Sequence, residues 1–207
     1  MTKELKEKTR PKHWEDLCPT VDNLRLMLGA ARHAFNRHSA AELEELAKLQ
    51  DEITLDLDLV FEEVELALEK TSETEKPYWL QLQGILTHLE IIGANIAALE
   101  GPIRKKIKSN VMLSDKDVMY LNNLFSCQTG LMRSLVDIFK KNDPVLKKYL
   151  IQESERLIAE CFAATAEHET RMMDNFGQPQ AWSVYLSLLE HTRIILHHLI
   201  DIIKLLK

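Results

Sequence analysis

The last segment of the chain, "LSLLEHTRIILHHLIDIIKLLK" over residues 186–207, sets Glu190, His191, His197, His198 and Asp201 within an otherwise aliphatic run. Carboxylates and imidazoles are the donors with which helical proteins hold iron, zinc, nickel or manganese. On a wheel of about 100° per residue, Leu188, Leu189, Ile195, Leu196, Leu199, Ile203 and Leu206 share one broad apolar face. Glu190, His197 and Asp201 form a narrow stripe opposite, at spacings that stack them along successive turns. His191 and His198 lie at the edge of that stripe, one heptad apart. One reading is a transition-metal site (Fe, Zn or Ni) at Glu190, His197 and Asp201, joined by Glu153 and Glu160 from the preceding helix. The other is a solvated polar face, and spacing alone favours it.

Other chemistries find less support. The chain has no Glu-x-x-His, which ferritin-like di-iron sites require, and no His-Glu-x-x-His of a zincin. It has no Gly-x-Ser-x-Gly, P-loop or Gly-x-Gly-x-x-Gly. Ser187, His191 and Asp201 cannot make a triad, because Ser187 and Asp201 stand about 21 Å apart along one helix. No catalytic residue is assigned, and a non-enzyme is expected. His168 and Arg171, in "EHETRMM", fit a polar helix end better than an anion site, and Met172 and Met173 fit core filling. Cys18, Cys127 and Cys161 are odd in number and form no Cys-x-x-Cys, which points to reduced thiols.

The elements that must position these residues are helices. Glycines and prolines are scarce and fall between long periodic runs. The periodicity predicts six helices, at about 20–38, 40–70, 77–101, 114–141, 144–174 and 179–206. Residues 1–18 read as a charged leader whose Trp14 and Leu17 dock on the body. The basic run "RKKIK" at 104–108 reads as a connection or a solvated helix end. "KPYWLQLQGILTHLEIIGANIAAL" (76–99) and "QPQAWSVYLSLLEHTRIILHHLI" (178–200) each open with Pro and an early Trp and reach "LE" on an apolar helix, so Glu90 and Glu190 correspond. The expected fold is all-α, a tandem pair of antiparallel three-helix bundles, with one half at 19–106 and the other at 107–207.

Charge sets the partner classes. A net charge of −6 argues against a nucleic-acid partner. No run of about 20 apolar residues and no signal-peptide core is evident, so a cytoplasmic protein that meets a membrane only through a partner is expected. On the second helix Asp51, Asp58, Glu62, Glu65 and Glu69 align opposite the core face; on the fifth, Glu153, Glu160 and Glu167 recur by heptads. Like charges at such spacings repel by a few tenths of a kcal/mol, and water, a cation or a basic partner can neutralise them. Leu55, Leu59 and Leu66 form an apolar strip beside the first stripe, suited to a homodimer or to internal packing.

"HLEIIGANIAAL" (88–99) is similar to the "LERIGDHAxNIAE" signature of the PhoU-like phosphate-uptake regulators, a family that includes PhoU-type domains of sodium/phosphate cotransporters. Glu90, Ile92 and Gly93 align, and Asn95–Ala97 reads as a shifted "NIA". "HETRMMDNFGQPQAWSVYLSLLE" (168–190) resembles the family's "HxxRLxxGxxxPxxxxxYLxLLxxLE", and "LQDEITLDLDLVFEEV" its early-helix "DxxID" region. The resemblance covers about residues 20–206. It implies a regulator or adaptor of phosphate uptake or signalling, working by protein–protein contact with a phosphate transporter or its sensor kinase and conditioned by metal. It also implies multinuclear iron or zinc clusters held on the bundle surface by Glu/Asp-x-x-x-Asp on the third helix of each half. Of those ligands only Glu90 and Glu190 are present here, since Ala94 and Ile194 stand at the second position. Two alternatives remain: a metal-binding bundle unrelated to phosphate, and a structural dimer without ligand.

Overall fold

The computed structural model describes the backbone of residues 14–174 and 179–206, and the side chains of all of these but 171–174. Most of the charged leader, and the roles assigned to Arg171, Met172 and Met173, lie outside the described residues. After a 3-10 turn at Trp14–Leu17 come α1 (Cys18–Arg37), α2 (Ala40–Lys70), α3 (Lys76–Ala98), α4 (Glu100–Lys108), α5 (Asp115–Lys141), α6 (Pro144–Asp174) and α7 (Pro179–Leu205).

Local chemistry fixes these boundaries. Pro19 and Pro77 stand in the first turns of α1 and α3, where a missing N–H costs nothing. Ser39 and Ser114 cap α2 and α5 by accepting from the backbone N–H groups of Glu42 and Asp117 at 3.4 and 3.2 Å. Asp143 accepts from the N–H of Val145 at 2.8 Å ahead of α6. His38 and Asn142 end α1 and α5 in the left-handed region, at φ of 52° and 50°.

One expectation is corrected. The third helix does not stop near 101: beyond a break at Leu99 it continues as α4 to Lys108. Pro102 explains the break, because it cannot donate to the carbonyl four residues back, and the Leu99 N–H turns to the Ile96 carbonyl at 3.2 Å. The run at 104–108 is therefore helical, and Lys106 within it is buried. Its Nζ donates to the Phe35 carbonyl at 3.0 Å, meets the His38 ring nitrogen and lies 4.7 Å from the Phe35 ring centroid. It thus satisfies an open carbonyl at the end of α1. Taken together, Lys76–Lys108 is one helical stretch long and apolar enough to cross a membrane. Here that apolarity faces protein, with Leu82, Ile85, Leu86, Leu89, Ile92 and Ile96 buried.

The chain forms the expected tandem of antiparallel three-helix bundles, α1–α3 and α5–α7. Equivalent helices meet between the halves: α1 packs on α5 and α3 on α7, while α2 and α6 lie outside. Phe35 and Phe125 touch where α1 crosses α5, with centroids 6.1 Å apart. Trp14 stacks on Tyr78 at 5.2 Å and Leu17 is buried, so the end of the leader docks on the body. Gly93 lets α3 lie close to its neighbours. A Cβ there would sit 3.2 Å from Leu24 Cδ2 and 3.4 Å from Gln50 Oε1.

Candidate functional site

The α3–α7 contact runs antiparallel, and its polar residues repeat by heptads on both helices. Gln81 donates through Nε2 to the Leu205 carbonyl. One heptad along, His88 Nδ1 lies 2.8 Å from His198 Nδ1. A further heptad along, His191 Nδ1 donates to Asn95 Oδ1 at 3.0 Å. Beyond that layer, Lys105 on α4 reaches Ser183 Oγ at 3.1 Å. A seven-residue repeat on both partners keeps one seam in register along two packed helices.

In the central layer a carboxylate joins the imidazoles. Asp201 follows His198 on the same face of α7, and one donor atom from each of His88, His198 and Asp201 lies within 4.8 Å of the other two. All three side chains are half-buried. Burial, and then His88 beside it, lowers the His198 pKa; burial also lowers that of His191. Both rings are therefore held towards the neutral, ligating form.

The residues singled out from sequence fall in four places. Asp201 is in this trio, with Oδ1 also 3.2 Å from the exposed Lys204 Nζ. Glu190 is exposed and paired with Arg193, whose guanidinium lies 4.3 Å from the Phe162 ring centroid. Glu153 and Glu160 both bind Arg156 on α6, which pulls the Glu153 pKa down. His197 and Glu90 are exposed. Among the described residues, no three-donor group includes Glu90, Glu153, Glu160, Glu190 or His197. Sequence reasoning missed His88 and left His198 at the edge of the stripe, outside the candidate ligands. Their signal was the matching heptads 81/88/95 and 191/198/205, which declare themselves only when α3 and α7 are laid antiparallel.

The surface clusters implied by the family resemblance need a second carboxylate one turn after Glu90 and Glu190. Ala94 and Ile194 offer no donor there, and Glu190 is already held by Arg193. The residues present do not fit such a cluster.

Elsewhere, two shallow clefts flank α6. One, of about 340 Å³, is lined by Cys161, Thr165, Glu190 and Arg193 among others; the second, of about 240 Å³, by Lys116, Tyr120, Glu160 and Glu167. Burial pushes the Cys161 thiol up to about 11, so it stays protonated at neutral pH and is a poor nucleophile. His168, expected at a polar helix end, is buried 3.8 Å from Asp117 and against the rings of Trp182 and Tyr185.

A different character marks the outer face of α2. This helix carries eleven acidic side chains against two lysines, a net −9 on a chain whose total is −6. Asp51, Asp58, Glu62, Glu65 and Glu69 are all exposed, and none of them has an ion pair among the described residues. Between them Leu55, Leu59 and Leu66 stand 65%, 62% and 54% exposed.

No protein-family model matches the chain, and no curated protein matches it. Among solved structures it is similar to PhoU from Pseudomonas aeruginosa, with a TM-score of 0.83 and 16% identity, covering 92% of this chain and 91% of that one. The architecture, helix order and length are thus shared across a wide sequence divergence, and the chain has a PhoU-like fold.

Proposed function

We propose that this protein is a non-enzymatic regulator or adaptor of phosphate uptake or phosphate signalling, and that it docks through the acidic face of α2 on a basic partner surface. The partner class is a phosphate transporter, through its cytoplasmic loops, or the transporter's sensor kinase. The observation that carries the reading is the exposed row of Asp51, Asp58, Glu62, Glu65 and Glu69 on α2, without an ion pair among the described residues, with three leucines exposed between the acids. Such a face suits a partner that is basic at the rim and apolar at the centre. The PhoU-like fold supports the link to phosphate.

The same observation weighs against a homodimer through this face. A two-fold interface sets a patch against itself, and here it would bring two helices of −9 together. Sedimentation distinguishes the cases: the docking reading expects a monomer at moderate salt, and a dimer dispersed by Leu59→Lys supports the alternative.

The test of function is affinity purification of the full chain from the cells that make it, together with phosphate uptake in cells lacking it. The proposal expects a phosphate transporter or its sensor kinase to co-purify, and uptake to change when the chain is absent. Unaltered uptake, with neither partner recovered, would remove the phosphate assignment.

A further inference from the structure

We propose that His88, His198 and Asp201 form a binding site for a zinc-class divalent transition metal that ties the first half of the protein to the second. The site is separate from the surface positions Glu90 and Glu190, and it goes beyond the docking function argued above.

Three observations carry it. First, the donors converge from both halves: His88 from α3, and His198 with Asp201 from α7, with one ligating atom of each within 4.8 Å of the others. Second, the layer differs in kind from its neighbours along the same seam. The Gln81 amide meets a carbonyl, and the His191 N–H meets the Asn95 amide oxygen. Each of those layers pairs a donor with an acceptor and is complete. The central layer pairs Nδ1 with Nδ1 at 2.8 Å, one ring donating and the other accepting, and it adds a carboxylate oxygen as a third donor atom beside the two ring nitrogens. Third, the chemistry selects the ion. Two imidazoles and one carboxylate suit zinc, nickel, cobalt or copper, whereas calcium and magnesium prefer all-oxygen shells.

The geometric demand is small. Tetrahedral zinc with Zn–N bonds of about 2.0–2.1 Å holds two ring nitrogens roughly 3.3 Å apart. From 2.8 Å the rings need to part by about 0.5 Å, which rotation of two half-buried side chains supplies. The ion takes the place of the bridging proton, and the donating ring carries a proton on Nε2 instead, so that both rings ligate through Nδ1 as neutral imidazoles. Lys204 is an exposed competitor for Asp201, and its surface ion pair is weak enough to yield. Three protein ligands leave a fourth position to water. Because the ligands come from α3 and α7, the bound ion resists separation of the two bundles.

The experiment uses the full chain, freed of metal by chelator and titrated with Zn2+ against a chromophoric competitor. One ion per chain is expected. Asp201→Asn, His88→Gln and His198→Gln should each weaken binding by about tenfold or more, while His197→Gln and Glu190→Gln leave it unchanged. Saturating Zn2+ at roughly 100 times Kd should raise the Tm of the parent chain by about 5 °C, and that rise should vanish in the triad variants. Circular dichroism before titration reports whether the histidine variants fold. Asp201→Asn, at a half-buried position on the rim, keeps the test decisive if they do not. Failure of the parent chain to bind one ion, undiminished binding in Asp201→Asn, or an equal loss in His197→Gln or Glu190→Gln would each overturn the site.

Discussion

Helices α2 and α6 hold equivalent outer places in the two bundles, yet they treat acidic residues in opposite ways. On α6, with six acidic and four basic side chains, Glu153 and Glu160 close on Arg156, and Glu167 pairs with Lys116 on α5. On α2, Lys48 pairs with Glu52, while Asp51, Asp58, Glu62, Glu65 and Glu69 face solvent without an ion pair among the described residues. Burial cannot account for the difference, because both helices bury a similar stripe of leucines and isoleucines. A fold needs only the buried stripe. The second half balances its outer charge internally, and the first half leaves a field that a partner can use. The scaffold is therefore shared between the halves, while the proposed docking face belongs to one of them.

The shared scaffold gives the largest effect. Leu89 and Leu189 occupy matching positions beside Glu90 and Glu190, and both are buried. Leu89→Ala and Leu189→Ala should each cost about 2–5 kcal/mol, measured by urea unfolding. A cost in one half and none in the other would break the equivalence. Next in size is charge reversal. Asp58→Lys with Glu62→Lys should weaken partner binding at least tenfold, whereas Glu155→Lys with Glu169→Lys on α6 should change it less than twofold. The binding of the parent chain should also weaken steeply with added salt.

A smaller effect lies in pH. The unfolded His191 titrates near 6.5, and burial sets the folded value lower. Between those values the unfolded chain binds more protons, so stability is full above about 6.5 and falls as the pH drops below it. His38, lowered by burial and by Lys106, acts in the same direction. His191→Gln, which keeps an amide to meet Asn95, should flatten part of that slope in melts between pH 5 and pH 7. A slope unchanged in the variant would assign the loss elsewhere. Smallest is Arg156→Ala, which should cost less than about 1 kcal/mol, as exposed pairs do. Its use is to free Glu153 and Glu160: if partner binding then rises on α6, open acidic charge is by itself enough for docking.

How far the sequence went follows from what periodicity encodes. Six long helices and the buried leucine stripe were legible because a 3.6-residue period follows directly from burial on one face. The continuation to Lys108 was not, because Pro102 reads as a stop although it only interrupts the bond ladder at Leu99. Glu190, His197 and Asp201 lay in one stripe on a single wheel, but a wheel says nothing of the neighbouring helix. The approach of His88 to His198 depends on the antiparallel register of α3 against α7, which is a tertiary fact. The pairing of Glu190 with Arg193 and of Glu153 with Arg156 was within reach, since both sit at i,i+3 on their own helices.

The most direct measurement is phosphate uptake in cells that lack the chain and are complemented with the parent protein, with Asp58→Lys/Glu62→Lys/Glu65→Lys on α2, or with Glu155→Lys/Glu169→Lys on α6, at matched protein levels. Uptake restored to its normal regulation by the parent and the α6 variant, but not by the α2 variant, is the predicted result. Equal complementation by all three would contradict the assignment of the docking face to α2.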